Sequence, residues 1–134
     1  MAEELNKGEI VIYTAADGSV SLDARLENDT IWLTQDLMAR LFETTVPNIN
    51  MHIKNIYEEE ELEQERTIKD FLIVRKEGNR TVSRNIAHYN LDMILSVGYR
   101  IKSKTATQFR RWATSVLQFI IQGEIVYICQ FSSP

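Results

Sequence analysis

One stretch constrains this chain more than any other: residues 32–57, WLTQDLMARLFETTVPNINMHIKNIY, read as two short helices joined by a tight turn. Thr34 is placed to cap the first helix, in which Leu37, Met38 and Leu41 fall at helical spacing. Glu43, Thr44 and Thr45 then break the pattern. Thr45 can cap a second helix over 46–57, Pro47 fits a first turn where a missing N–H costs little, and Val46, Ile49, Ile53 and Ile56 repeat every three or four residues. With the isoleucines turned inward, a helical wheel places Pro47, Asn48, Met51, Lys54 and Asn55 on the opposite face. Asn pairs bidentately with adenine, Lys meets guanine or phosphate, and Met touches a thymine methyl, so this face suits the reading of a DNA groove. The bland alternative is a solvated surface helix.

The flanking segments supply a sheet. Glu9–Thr14 (EIVIYT) is β-branched, Ala16–Ser19 (ADGS) is a turn, and Val20–Leu26 alternates apolar with polar, which predicts a hairpin with one wet face. Thr30–Leu33 reads as a third short strand, with Trp32 a core or hinge residue. After an acidic linker, Thr67–Val74 and Arg80–Tyr89 flank the turn KEGN and predict a second hairpin, a wing over 67–89. Its cations Arg75, Lys76, Arg80 and Arg84, with Lys69 nearby, suit phosphate contacts that set register without reading sequence. An ordinary charged hairpin is the alternative.

Asn90 is expected to cap a helix over Leu91–Val97, with Gly98 as its left-handed stop and Tyr99–Lys104 as a basic connector. From Thr105 to Gly123, Ala106, Phe109, Trp112, Ala113, Val116, Leu117, Ile120 and Ile121 form one broad apolar stripe, the strongest helical signal in the chain. Phe109 and Trp112 share that stripe with aliphatics and read as core. Arg110 and Arg111 point off it and are grouped with Arg100, Lys102 and Lys104 as a basic cluster.

The net charge of −4 hides an asymmetry: residues 1–66 carry 5 Lys/Arg and 15 Asp/Glu, residues 67–134 carry 10 and 4. A polyanion would be drawn to the second half and repelled by Glu58–Glu61, Glu63 and Glu65, which directly follow the second helix. The 134 residues suit one compact unit, divided as a flexible 1–8, a hairpin and helix pair over 9–66, a wing and helical segment over 67–123, and an atypical tail over 124–134. The acidic N-terminus is unlike a signal peptide and no apolar run is long enough to span a bilayer, so the cytoplasm is the default compartment, with no membrane partner. Cys129 is the only cysteine. His52 and His88 stand in no metal-ligand or nucleophile spacing, and no phosphate-cradling glycine loop or nucleophile elbow occurs. Neither catalysis nor a cofactor or metal is therefore expected.

The segments from IVIYTAADGSV through EEEEL, followed by NRTVSRNIAHYNLDMILSVGYRIKSKTATQFRRWATSVL, resemble the RhuM family of bacterial virulence-associated and phage-related proteins over residues 9–117. YNLDMILSVGYRI and ATQFRRWATSVL carry most of the specificity. The second segment is also similar to Bro-N and KilA-N type domains, which have a Phe-Arg-x-Trp helix. The resemblance implies nucleic-acid binding without a named target. It places Asn48, Asn50, His52 and Lys54 on a recognition helix, and Phe109, Arg110 and Trp112 on the FRxW-like helix. Family members run longer, and QFIIQGEIVYICQFSSP reads as departing from the pattern after Leu117, as in a shortened copy.

The expectation is thus an α+β unit with an N-terminal β-hairpin, a winged helix-turn-helix and a C-terminal amphipathic helix, binding double-stranded DNA with sequence preference. A homodimer mate would supply specificity that a lone unit lacks. The rival is a protein-interaction module docking a partner through the acidic run and the apolar Ile125–Ile128.

Overall fold

A computed structural model describes residues 9–121, with side chains as far as Gln118; the expectations for 1–8, Gly123 and the tail 124–134 lie outside the described residues. The described residues mix five helices with one five-stranded antiparallel sheet. In sequence order the elements are β1 (Glu9–Thr14), β2 (Ser21–Glu27), β3 (Thr30–Leu33), α1 (Gln35–Leu41), α2 (Val46–Glu58), α3 (Gln64–Thr67), β4 (Ile68–Glu77), β5 (Arg80–Asn90), α4 (Leu91–Ile101) and α5 (Ser103–Ile121). Strand order across the sheet is β1-β2-β3-β5-β4.

Local chemistry accounts for the turns. Asn28 and Asp29 both take positive φ (56° and 61°) between the closing pair Glu27 and Thr30, the twist that a two-residue hairpin loop demands and that Asn and Asp tolerate. At the far hairpin, Gly78 (φ 64°) supplies the same freedom between Glu77 and Arg80.

One sheet face buries Tyr13, Leu22, Ala24, Leu26, Ile31 and Leu33 against the helices, where Phe42, Ile49, Ile53, Ile56, Met93, Ile94, Val97 and Phe109 complete the core. Tyr13 lies edge-on to both Phe109 and Trp112, each at 5.1 Å between centroids, so the α5 stripe from Ala106 to Val116 is core as its spacing predicts, while the side chains of Ile120 and Ile121 lie outside the described ones. Among the described residues, no helix packs on the other face. It carries a smaller cluster in which Phe71 packs between Trp32 (5.8 Å) and His88 (4.8 Å), with the Arg25 guanidinium 4.9 Å above the ring.

Burial holds the His88 imidazole below its ordinary value of 6.5. As pH falls, the unfolded chain takes up this proton first, so the contribution to stability is complete above 6.5 and declines below it, towards the folded value. Urea unfolding between about pH 7 and 5.5 should show stability dropping. His88→Gln should flatten that drop, and an unchanged slope would show that His88 is not its source.

Four expectations are corrected. Gly98 does not end a helix after Val97: α4 runs on to Ile101, and Gly98 lies buried inside it with no positive φ. A Cβ there would come within 2.6 Å of Phe42 Cε1 and 2.9 Å of Ala106 Cβ, so this glycine serves close packing rather than a stop. The basic connector at Tyr99–Lys104 is accordingly the last turn of α4 and the start of α5, parted only at Lys102. The acidic linker folds its end into α3, where the Thr67 hydroxyl donates to Glu63 O at 2.8 Å and bonds the Tyr57 hydroxyl at 2.7 Å. Finally, α2 extends one residue past Tyr57 to Glu58.

Both helices of the pair stop by the same device, without glycine. After α1, Glu43 adopts φ 57° and the N–H groups of Glu43 and Thr44 return to Arg40 O and Ala39 O; after α2, Glu60 adopts φ 60° and Glu60 and Glu61 return to Tyr57 O and Ile56 O. A non-glycine residue there carries steric strain. Glu60→Gly should therefore stabilise the protein by about 0.5–1 kcal/mol in urea unfolding, and a loss would mean that the Glu60 side chain makes a compensating contact.

Candidate nucleic-acid interface

The helix pair is positioned by its caps and by one polar bridge. Thr34 Oγ1 accepts from Leu37 N–H at 3.1 Å and Thr45 Oγ1 from Asn48 N–H at 3.2 Å, so both expected caps are made. Phe42, the fully buried C-cap of α1, anchors the turn between the two helices against Gly98 of α4. Gln35 Nε2 donates to Asn50 Oδ1 at 3.3 Å and to the Tyr89 hydroxyl at 3.1 Å, tying α2 to α1 and to β5.

Burial sorts the outer face of α2. Ile49, Ile53 and Ile56 are turned in, while Met51 and Lys54 are exposed and Asn48, Asn50 and Asn55 are half-buried. Two of the amides already have local work: Asn48 Nδ2 donates to Thr44 Oγ1 at 2.9 Å, and Asn50 accepts from Gln35. The most accessible reading edge is thus Met51, Lys54 and Asn55. His52 is half-buried on the flank, with Nδ1 buried and unpartnered.

The acidic run beside this edge is partly neutralised. Arg100 of α4 holds both Glu59 (2.7 Å) and Glu61 (2.9 Å), and those carboxylates hold its guanidinium above the usual arginine value. Glu63 pairs with Arg66 at 3.1 Å. The same pairings dissolve the basic cluster expected from sequence, because Arg100 is committed to the acidic run and Lys102 to Glu43. Arg110 Nε donates to the Tyr99 hydroxyl at 3.2 Å, and Arg111 is exposed on α5, which packs on α4 rather than on α2. The structure does not bring Arg110 and Arg111 to the α2 edge.

Beyond Phe71 and Ile86, β4 and β5 leave the core as a two-stranded arm on which only Ile73 and Val82 are half-buried. The pairs Ile73 with Arg84, Arg75 with Val82 and Glu77 with Arg80 place Arg75, Arg80 and Arg84 on one face of the arm. Lys76, paired with Thr81, falls on the other, beside exposed Leu72 and Val74. The four cations read together in the sequence are therefore split between two faces. Arg84 is also bonded to Glu77 at 3.2 Å, which leaves Arg75 and Arg80 as the more available pair.

Sequence reading missed Gln35, the pairing of Arg100 with Glu59 and Glu61, and the contact between Phe42 and Gly98. Each acts through partners distant in sequence, and none stands in a local pattern. No helix among the described residues is long and apolar enough to cross a membrane.

Residues 66–127 match the model of the Virulence protein RhuM family, and the resemblance read from the sequence holds over that segment. The match takes in the last two residues of α3, the arm, α4 and α5, and begins after the helix pair. It continues to Tyr127, ten residues past Leu117, where the pattern was expected to lapse. No curated protein and no solved structure matches the chain.

Proposed function

We propose that this chain, whose residues 66–127 are RhuM-like, is a cytoplasmic, sequence-preferring double-stranded DNA-binding protein of the winged helix-turn-helix kind, acting by binding rather than catalysis. The observation that carries the reading is α2 itself. It is capped at its start by Thr45, seated through three isoleucines and Phe42, and presents Met51, Lys54 and Asn55 outward. In the proposed mode this edge enters the major groove while Arg75 and Arg80, which continue the sheet face opposite the helices, hold phosphates from the end of the arm. Asn48 and Asn50 orient the helix more than they read bases, since their amides bond Thr44 and Gln35. Pairing of Glu59 and Glu61 with Arg100 lowers the repulsion that the acidic run would exert on phosphate.

The test is retention of a random double-stranded DNA pool at about 50 and 200 mM salt, with sequencing of the bound fraction. Enrichment of a short motif, with affinity falling steeply as salt rises, is the expected result. No retention by folded protein at the lower salt would overturn the reading. The observation favouring a protein-interaction module instead is the arm's Leu72 and Val74, 47% and 60% exposed on one face.

A further inference from the structure

The sheet has a gap one strand wide. β3 is four residues long, whereas its neighbours β2 and β5 have seven and eleven. It pairs with β2 as far as Trp32 opposite Arg25, and with β5 only at Trp32–Asn90 and Leu33–Tyr89. At Thr34 the chain leaves the sheet for α1. β2 continues past that point from Ala24 back to Ser21, and β5 from His88 back to Ile86, where the arm leaves the core, both on the side where a longer β3 would lie. Strands flanking a missing strand stand roughly 9.6 Å apart, twice the ordinary interstrand spacing, which is the room that one extended chain needs. A cleft of about 680 Å³ occupies this place, lined by Asp23 and Arg25 of β2 and by Ile86, Ala87 and His88 of β5, and floored by the first turn of α1. Three consecutive β5 residues line it, so the strand presents its backbone edge to the cleft.

We propose that this slot takes an extended peptide from a partner protein, added as a strand between β2 and β5 in line with β3. Every second N–H and C=O of β5 beyond His88 points away from β4 and into the gap, the open edge that strand addition uses. Side-chain donors already stand in for some strand bonds: His88 Nδ1–H donates to Ile86 O at 2.8 Å, and Arg40 donates to Ser21 O at 3.2 Å.

Charge defines the occupant. Arg25 has Nε buried without a hydrogen-bond partner, and Arg75 also lines the cleft. Glu27, the neighbouring carboxylate on the same face of β2, is taken by Lys69. Asp23 and Asp36 stand at the α1 end. Apolar walls come from Ile10, Ile73 and Ile86. The peptide therefore carries β-branched residues, a carboxylate for the Arg25 and Arg75 side chains that line the cleft, and a basic residue for Asp23 and Asp36. This docking does not require that α2 reads DNA, but it shares Arg75 with the proposed phosphate contacts, so peptide and DNA would compete for that residue.

The probe is a synthetic capped heptapeptide, Thr-Val-Glu-Val-Lys-Val-Thr, with the charge-swapped Thr-Val-Lys-Val-Glu-Val-Thr as control, and the readout is amide hydrogen exchange on the whole chain. The first peptide should slow exchange about fivefold or more at residues 21–24 and 84–88, and should bind at least about fivefold more tightly than the second. Arg25→Gln should erase the preference and Arg25→Lys should retain most of it. Should Arg25→Gln fail to fold, the comparison of the two peptides on the unaltered chain decides alone. Equal binding of the two peptides, no protection by either, or protection confined to the outer edges of β1 and β4 would each overturn the proposal.

Discussion

Replacing Gly98 by alanine should destabilise the protein by about 2 kcal/mol, even though the substitution improves helix propensity. Two effects oppose each other. In the interior of α4, alanine gains about 1 kcal/mol over glycine from backbone entropy alone. Against this, the new methyl would sit within 2.6 Å of Phe42 Cε1 and 2.9 Å of Ala106 Cβ, and both neighbours are fully buried. Overpacking a filled site of this kind costs typically 1–3 kcal/mol, and contacts this short belong at the upper end. The net loss should appear in urea unfolding as a lower midpoint with an unchanged slope. Phe42→Leu, made together with Gly98→Ala, should recover most of the loss, because it removes the ring atoms that the methyl meets. Stabilisation by Gly98→Ala alone would show that Phe42 does not lie against Gly98 and that the helix pair is seated differently. The contact matters for function because Phe42 holds the turn from which α2 begins.

Removing Arg75 and Arg80 together should weaken DNA binding to all sequences and flatten its salt dependence. Each lost phosphate contact lowers the slope of log affinity against log salt by about 0.9, so the double alanine variant should lose about 1.8. The affinity ratio between the parent chain and the variant should then shrink by roughly tenfold from 50 to 200 mM salt. The motif enriched from a random pool should stay the same, since phosphate contacts carry no base identity. Lys76→Ala is the internal comparison, being on the other face of the arm. An effect of Lys76→Ala equal to that of each arginine would mean that the tip engages DNA without regard to face. An unchanged slope in the double variant would remove the arm from the interface.

Much of the fold is written in short-range patterns. Strand β3 has the limits that its residues predict, Thr34 and Thr45 cap the helices they precede, and Asn90 Oδ1 accepts from Met93 N–H at 3.1 Å as the start of α4. These features are legible because each depends on residues within one turn or one hairpin. The stripe of α5 is legible for the same reason, its period repeating over several turns. The candidate interface was legible only as a list. Sequence placed Met51, Lys54 and Asn55 on an outer face, but it could not say that Asn48 and Asn50 spend their amides on Thr44 and Gln35.

Other matters were decided by contacts between residues far apart in the chain. Gly98 looks like a helix stop until Phe42, fifty-six positions earlier, is seen to fill the space above it. Arg100 looks like part of a basic surface until Glu59 and Glu61 close on it from the end of α2. The arm's cations look like one patch until strand pairing sends Lys76 to the opposite side. The amino-acid order by itself determined where elements begin, which residues face inward, and the charge of each half of the chain, because caps, turns and periodicity act within a few residues. Only the tertiary structure decided which charges cancel, why a glycine sits within a helix, and that β3 stops short between two longer strands. Those outcomes depend on which distant surfaces meet, and no local period records them.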